Sequence, residues 1–511
     1  MLLLLQLLAC SASAGTSWRH LNPSRPIPRT LSDAIALHAH GRREVHKVML
    51  RAGHAPSRYS HVLGPLLMSP QESGLQAPLD PVAFGADPTG RTDSTKAFVA
   101  AMLALTNATA RADDPMADCI ANLGGATLEL GGGEYLISSP LIIPPHVGNV
   151  RIRGGTLRAS PTFPSDRFLI EVGEAGCATG CKNATEKQKV CNEMVGLESL
   201  FLDASHVAAG GVLSQSTMGT TVGPSCFFIG FNDAGLRVDG GHETILSQSW
   251  LAEYYWSDKH PETSHSIAVE LNGEDNFVSD VIVFDYAKVG VLVNGAATIL
   301  SGVHTWNGGG VGISINGSYG IQDRIVDCYL DYNSLDLIEP SAITVQNTFF
   351  LDTGAKLYPD PAWSGYNPRP KTPSIEAVVF RENTYNLGES GGNASIVVIN
   401  TGAYPAMTPA QCKRFVVEDE LSLNPETLRA TRATQTLWQK NASVFTFDFS
   451  DQLVFPWIDT IVSYTVMLPR EINTNVQHAA EMPAGSGAAT AVVRLSAAVD
   501  ATVTIEVAQC V

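Results

Sequence analysis

Apolar residues recur with two different periods along this chain. A short β run is predicted at Val82–Phe84, and after a Gly/Pro-rich turn, apolar residues at helical spacing predict one amphipathic helix. Asp93 or Ser94 can cap that helix, because a short polar side chain accepts the free N–H groups of the first turn. Beyond it, short alternating runs separated by glycine pairs predict β-strands. The apolar helical positions are Ala97, Phe98, Ala101, Met102 and Leu105.

A phrase of two alternating aliphatic residues between glycines recurs through the middle of the chain. It reads GLRVDG from 235, IAVELNG from 267, GVLVNG from 290 and GISING from 312, with a weaker copy, LDLIEP, from 335. The later copies are about 22 to 24 residues apart, which is the length of one coil of a solenoid. A second short strand follows each copy. We therefore expect equivalent residues to stack from coil to coil: Val281 with Val303, and Ser247 with Ser279 and Ser301.

These patterns predict an all-β chain folded as a right-handed parallel β-helix, with the helix covering the N-terminal end of the coil. The strongly alternating tail, ATAVVRLSAAVDATVTIEVAQC, predicts a small antiparallel β module that closes the other end. The expected parts are a signal peptide at 1–14, a basic and poorly ordered leader at 15–79, the β-helix at 80–400 and the closing module at 401–511.

The first fourteen residues, MLLLLQLLACSASA, have an apolar centre and small residues at the end, as a signal peptide has. A lipoprotein site at Cys10 is the alternative. The run is too short to span a bilayer, so we expect a secreted, extracellular or cell-wall protein, monomeric and without a membrane partner. Glycosylation sequons agree with secretion and lie at Asn107, Asn183, Asn316, Asn393 and Asn441.

Nine cysteines become eight if the signal peptide is removed, and an even number in a secreted chain permits disulfides. Cys412 and Cys510 can pair near the C-terminus. Cys226 and Cys328 fall in apolar strand patterns, where we expect buried free thiols.

The formal net charge is -17, which argues against a nucleic-acid partner because phosphate contacts need clustered Lys and Arg. Residues 15–79 differ from the rest, with eight Lys or Arg against three Asp or Glu. This leader is either a flexible segment without function or an arm that binds an acidic wall polymer.

The opening VAFGADPTGRTDSTKAF, followed by GGATLELGGGEYLISSPLIIP, resembles the entrance of the pectate-lyase superfamily of β-helix enzymes. TLRASPTFPSDRFLIEV, LSGVHTWN and QDRIVDCYLDYN resemble the plant QUARTET-type polygalacturonases in order and spacing. The likeness runs from about Asp80 to the C-terminus. It implies a glycoside hydrolase that cleaves pectin-like polygalacturonate by inverting hydrolysis.

Polygalacturonases carry four motifs on successive coils, and this chain matches them unevenly. An Asn-Asp pair ending at Asp233 stands where Asn-Thr-Asp is expected, with the aspartate one place early. The double aspartate is missing, and Asp285 or an acid of the insertion at 251–266 can replace it. Gly-His-Gly has become Gly-Val-Gly at 310–312, so the nearest histidine is His304. Arg-Ile-Lys is absent.

Glycoside hydrolysis needs an acid that protonates the leaving oxygen and a carboxylate that activates water. Strands of successive coils lie ~4.8 Å apart, so groups one or two coils apart can reach the roughly 6.5–9.5 Å of an inverting pair. We assign Asp233 as the acid, Asp285 or an insertion acid as the base, and His304 as a positioning group. Asp331 is a further catalytic candidate. Substrate binding is expected from Tyr255, Trp256, Asp258, Lys259, Lys288 and Arg324.

Each of these residues also has a structural interpretation. Asp233 and Asp285 can cap turns, and His304 can be a hydrogen-bonded wall residue. Two other functions therefore stay open, a polysaccharide lyase that acts by β-elimination and a non-catalytic β-helix that binds wall polysaccharide. No cofactor and no metal are expected for the hydrolase.

Overall fold

The computed structural model describes residues 77–109, 111–116, 120–175, 190–253, 266–306, 308, 311–316, 322–358, 374–386, 397–399, 407–423, 428–469, 475–483 and 489–511. The described residues all belong to one compact unit, Leu75–Val511. The predicted signal peptide and nearly all of the leader lie outside them. Within the described ranges, no helix is long and apolar enough to cross a membrane.

The chain from residue 121 to residue 422 is a right-handed parallel β-helix, as predicted. Each coil contributes one strand to each of three sheets, which we call first, second and third in the order the chain visits them. Each strand pairs in parallel with its equivalent one coil on. Ile245–Ser247, for example, pairs with Phe277–Ser279, which pairs with Ile299–Ser301.

The first sheet contains the N-terminal parts of Ala121–Glu129, Val147–Ala159 and Asn192–Asp203, then Thr221–Val222, Ile245–Ser247, Phe277–Ser279, Ile299–Ser301, Arg324–Val326, Thr344–Gln346, Val379–Arg381 and Val416–Glu418. The second contains Thr89–Asp93, Glu134–Ile137, the C-terminal parts of Val147–Ala159 and Asn192–Asp203, then Phe227–Ile229, Trp250–Ala252, Ile282–Phe284, His304–Trp306, Tyr329–Asp331, Phe349–Leu351, Thr384–Asn386 and Leu421–Ser422. The third contains Leu141–Ile143, Phe168–Gly173, Gly210–Met218, Ala234–His242, Ile267–Leu271, Val289–Val293, Val311–Asn316, Ser334–Ile338, Ala355–Tyr358 and Val397–Ile399. Arg111–Pro115 is antiparallel to Ala121–Glu129, and Ile375–Glu376 pairs with Cys412–Lys413.

The core lies inside the coil, where the middle residue of each short strand points inward. Leu246, Val278 and Leu300 occupy this position in the first sheet and are almost fully buried. Burying each such side chain stabilises the fold by about 1.5–3 kcal/mol. The predicted stack of Ser247, Ser279 and Ser301 is confirmed by the strand register.

The predicted helix forms at Thr95–Thr109 and packs its apolar face on the first coil, where Phe98 meets Tyr135 edge to face at 5.1 Å. Asp93 accepts the N–H of Thr95 at 3.0 Å, which confirms it as the capping side chain. That the helix covers the end of the coil stays a prediction. The predicted strand at Val82–Phe84 is wrong. It is part of a 3₁₀ turn, Pro81–Phe84, because proline starts a helical turn readily and Asp80 caps it.

A column of polar residues lies inside the turn that precedes the first sheet. The Thr298 N–H donates to Asp323 Oδ1 at 2.8 Å, as the Thr244 N–H donates to Asn276 Oδ1 at 3.3 Å two coils earlier. Asn276 also donates its Nδ2 to the Gly273 carbonyl. Asp323 is only 1% exposed, and its Oδ2 has no hydrogen-bond partner among the described residues. Burial therefore raises the pKa of Asp323 to about 7.

The C-terminal module is an antiparallel sheet with its own apolar core, as the alternating tail predicts. The parallel coil extends beyond residue 400, because Val416–Glu418 still pairs with Val379–Arg381. Cys412 and Cys510 form a disulfide with a Cα–Cα distance of 5.0 Å, which confirms the predicted pairing. Cys226 and Cys328 are buried free thiols, also as predicted. The module strands are Arg432–Asp448, Thr460–Met467, His478–Glu481 and Thr490–Ala508.

Candidate active site

Three of the four predicted catalytic residues, Asp233, Asp285 and Asp331, lie along one corner of the coil, between the second and the third sheet, whereas His304 lies at the opposite end of its second-sheet strand. Asp285 and Asp331 stand at the ends of second-sheet strands, and His304 begins the strand between theirs. Asp233 lies in the turn before a third-sheet strand, four coils before Asp331. At ~4.8 Å per coil, Asp331 is about 10 Å along the axis from Asp285 and about 19 Å from Asp233. Asp233 and Asp331 therefore cannot act on one glycosidic bond.

Asp233 is held in an ion pair. Arg237 donates Nη2 to Asp233 Oδ1 at 2.7 Å and Nε to Glu270 Oε2 at 2.6 Å. The guanidinium also lies 5.6 Å from the centre of the Phe168 ring. The Asp233 carbonyl accepts the N–H of Ile267 in the next coil. These contacts suit a residue that fixes a turn better than one that gives up a proton.

Asp285 is half-buried in a left-handed backbone conformation, with φ at 47°. Its carbonyl accepts the N–H of Glu253 at 3.1 Å. Lys288 follows three residues later, is exposed, and lies in the turn that leads into the third sheet. Its N–H donates to the Ser266 carbonyl at 3.0 Å. This turn therefore places one carboxylate and one exposed lysine near the corner, two coils before Asp331.

Asp331 lies in an apolar setting. Its register neighbours on the outer face are Trp306, one coil before, and Leu351, one coil after. Asp331 is only 8% exposed, and its Oδ1 has no hydrogen-bond partner among the described residues. Burial, and secondarily the charge of Asp352, raises the pKa of Asp331 to about 6. A carboxyl group in this state can donate a proton at mildly acidic pH.

Asp352 provides the second carboxylate. It follows the strand Phe349–Leu351, one coil beyond Asp331, and is exposed to solvent. Its backbone is left-handed, with φ at 50°, which turns the chain at this corner. One buried and one exposed carboxylate on adjacent coils is the arrangement in which two acids take different roles.

The His304 ring lies against the ring of Tyr329 in the next coil, with ring centres 4.5 Å apart and the planes tilted by 35°. Its Nε2 is buried and has no hydrogen-bond partner in the part of the chain that the structure describes. Burial lowers the pKa of His304 to about 4. The imidazole is therefore neutral above that pH and can position a neighbouring group without carrying charge.

The structure also reveals polar residues that the sequence motifs did not indicate. Asp336 is buried on the outer face of the third sheet, where Ser334 Oγ donates to its Oδ1 at 2.6 Å. Lys356 is the register neighbour of Asp336 one coil on. The Tyr358 hydroxyl forms a hydrogen bond with the Asp336 carboxylate. Asp352 was missed as well. Asp336 stands in the middle of the strand Ser334–Ile338, and Asp352 follows the strand Phe349–Leu351, so no local pattern in the sequence marks either of them as a site residue.

Several predicted residues are not brought to this corner. Arg324 is exposed on the first sheet, a different face of the coil, so it does not join the site. Tyr255, Trp256, Asp258 and Lys259 lie outside the described residues.

The predicted glycosylation sites differ in accessibility. Asn107 and Asn441 are exposed, whereas Asn316 is only 5% exposed and cannot carry a bulky glycan in this fold. Asn183 and Asn393 lie outside the described residues.

One group of side chains within the described ranges could hold a cation. His242 Nδ1 lies 3.4 Å from Asp275 Oδ2 and 3.7 Å from Glu274 Oε2. The two acids are exposed and the group lies at the opposite edge of the third sheet, so we assign it no role in the site.

Comparison with known proteins gives the relationship of the chain. No family model matches it. Polygalacturonase QRT3 of Arabidopsis thaliana is 33% identical over 420 residues, which cover 79% of this chain and 80% of that protein. The mannuronan C-5 epimerase AlgE6 A-module of Azotobacter vinelandii is 12% identical with a TM-score of 0.35, over 68% of this chain and 99% of that one.

The exopolygalacturonase of Thermotoga maritima is 12% identical with a TM-score of 0.30, over 68% of this chain and 92% of that one. Because these structural likenesses are weak, the family follows from the sequence identity with QRT3. On that identity, and with a parallel β-helix in place, this chain belongs to the polygalacturonase family.

Proposed function

We propose that this protein hydrolyses polygalacturonate or a similar pectic polyuronate, with Asp331 as general acid and Asp352 as general base. The observation that carries the proposal is the buried Asp331 carboxyl, whose pKa is raised to about 6 beside a second carboxylate. Sequence identity with a polygalacturonase supports the substrate class. Secretion into a cell wall is part of the proposal and rests on the signal-like N-terminus.

The two carboxyl groups have complementary tasks. Asp331, protonated in its apolar pocket, gives its proton to the leaving glycosidic oxygen. Asp352, open to solvent on the next coil, removes a proton from the attacking water. Adjacent coils lie ~4.8 Å apart. Asp352 lies one residue beyond Leu351, the register partner of Asp331, and this offset adds to the distance between the two acids. With side-chain rotation the two carboxyl groups can therefore reach the roughly 6.5–9.5 Å of an inverting pair.

The substrate is a polyanion and the chain is acidic overall, with a net charge of -17. Binding therefore requires local cations along the substrate path. Lys288 and Lys356 are exposed beside the third sheet, before and after the coil of Asp331. We propose that they contact uronate carboxylates on either side of the cleaved bond.

The proposal is tested by incubating the purified full-length protein with polygalacturonate. We expect new reducing ends without the ultraviolet absorbance of an unsaturated product. Absorbance that rises with bond cleavage, and that a chelator abolishes, identifies a β-eliminating lyase instead. Binding to polygalacturonate without either signal identifies a non-catalytic wall-binding protein. Either of these results contradicts the proposed hydrolysis.

Replacing Trp306 with alanine should shift the pH dependence of hydrolysis. The indole is the register neighbour of Asp331, so its removal admits water and lowers the pKa of Asp331 toward its ordinary value. We expect the alkaline limb of the kcat–pH profile, near pH 6 in the parent, to move at least about one unit lower. Trp250→Ala, two coils before Trp306, is the matched control and should leave that limb in place. An unchanged limb in Trp306→Ala would show that Asp331 does not set it.

A further inference from the structure

The turn that follows Asp331 is pinned by a buried pair of polar side chains. Asn333 donates its Nδ2 to the Asp331 carbonyl at 2.8 Å. Thr305, one coil before, donates its hydroxyl to Asn333 Oδ1 at 2.7 Å. Thr305 is fully buried and Asn333 is 3% exposed. Both polar groups of the amide are therefore used, one on each side of the turn.

Tyr332, the residue between Asp331 and Asn333, has an unfavourable backbone conformation. Tyr332 has φ at 59°, a left-handed conformation that bulky residues rarely adopt. A backbone of this kind persists only where the surroundings hold it. The Asn333 amide and its bond to Thr305 provide that hold. These two buried side chains therefore hold the backbone at the point where Asp331 leaves its strand.

Gly312 makes room for this pair. A Cβ atom at Gly312 would lie 2.0 Å from Asn333 Oδ1 and 2.6 Å from Thr305 Oγ1. The φ angle of Gly312 is not in the left-handed region, so the glycine is required for space alone. Gly312 belongs to the Gly-Val-Gly at 310–312 that stands where the family has Gly-His-Gly. At this position the space beside the glycine is filled by Asn333 and Thr305, which hold the turn after Asp331.

We infer that Asn333, held by Thr305 in the space left by Gly312, is a positioning residue that orients the Asp331 carboxyl toward Asp352. The inference rests on the proposed function for its catalytic consequence. Asn333 touches neither the reacting bond nor the substrate, and it acts through the backbone of Asp331. Loss of its amide should affect the proton-transfer step more than substrate binding.

The test compares Thr305→Val, Asn333→Ala and Thr305→Ser in the full-length protein. Thr305→Val keeps the shape and removes the hydroxyl, and Thr305→Ser restores it. We expect the first two to lower kcat about 10- to 100-fold with KM within about threefold. Thr305→Ser should retain most of the activity. The alkaline limb of the kcat–pH profile should move in the first two variants, because the setting of Asp331 changes.

Asn276→Ala is the matched control, since Asn276 is equally buried and donates its Nδ2 to a backbone carbonyl at 2.7 Å in another turn of the coil. It should lose thermal stability to a similar degree and keep the parent kcat and pH profile. If Thr305→Val and Asn333→Ala lose no more activity than Asn276→Ala, the positioning role is refuted.

A second readout does not depend on turnover. The difference in unfolding free energy between the parent and Asp331→Asn, followed against pH, reports the titration of Asp331 near pH 6. The pH midpoint of this titration should shift when Asn333→Ala is compared with the double variant Asn333→Ala, Asp331→Asn. If the parent hydrolyses nothing, the proposed function fails, and this midpoint alone decides the inference. A midpoint that stays in place overturns it.

Discussion

Asp331→Asn should lower kcat on polygalacturonate about 1,000-fold and leave KM within about threefold. An amide matches the carboxyl in shape and cannot donate a proton to the leaving oxygen. The effect should be large because Asp331 is only 8% exposed, which limits the access of a water molecule that could substitute as the acid. Initial rates of reducing-end formation between pH 4 and pH 7 measure it.

Asp203→Asn is the matched control for this variant. Asp203 occupies the same outer position of the second sheet near the start of the coil, where it pairs with Arg158 at 3.4 Å. Its loss should change activity less than about threefold. Asp233→Asn distinguishes our assignment of Asp331 as the general acid from the sequence-based assignment of Asp233. If Asp233→Asn abolishes turnover and Asp331→Asn does not, the acid is Asp233 and our assignment is wrong.

Asp323→Asn should stabilise the fold at neutral and alkaline pH by up to about 4 kcal/mol. The folded protein holds the Asp323 proton up to about pH 7, whereas an unfolded aspartate releases it near 3.8. The folded state therefore binds more protons in this window, and stability falls as pH rises from about 4 to about 7. Below about pH 4 Asp323 is protonated in both the folded and the unfolded state, so it does not lower the free energy of unfolding. Asparagine removes the buried carboxylate and supplies the amide that Asn276 already has in the equivalent turn.

Chemical denaturation of the parent and the variant at several pH values measures this difference. The gain should be small at pH 4 and reach its full size above pH 7. Asp327→Asn is the control, because Asp327 is exposed on the same coil and accepts the Asn347 amide at 2.6 Å. A gain of equal size at pH 4 and pH 8 would show that packing, and not the buried charge, determines the effect.

Much of the fold could be predicted because the signals are local. The glycine-bounded phrases recur once per coil, so the stacking of Ser247, Ser279 and Ser301 follows from counting residues. The disulfide between Cys412 and Cys510 followed from their position near the C-terminus in a chain expected to be secreted. The Val82–Phe84 strand was wrong because a cap at Asp80 outweighed the local propensity.

The candidate site could be predicted only in part. Acids at the ends of short strands indicated the corner of the coil on which our proposal rests, and Asp331 was among them. The role given to Asp233 came from a motif, and the motif does not reveal that Arg237 binds this carboxylate. Asp352 was overlooked because nothing near it in the chain distinguishes it from a turn aspartate.

The sequence by itself determined that this chain is a parallel β-helix with a long likeness to polygalacturonases, because alternation and coil length are set by residues close together in the chain. Tertiary structure alone decided which acids are buried and therefore have a raised pKa. Desolvation of Asp331 by Trp306 and Leu351, and of Asp323 by the core, comes from residues that are distant in sequence or on other coils. The protonation of a carboxyl depends on what surrounds it in space, and no run of neighbouring residues contains that information.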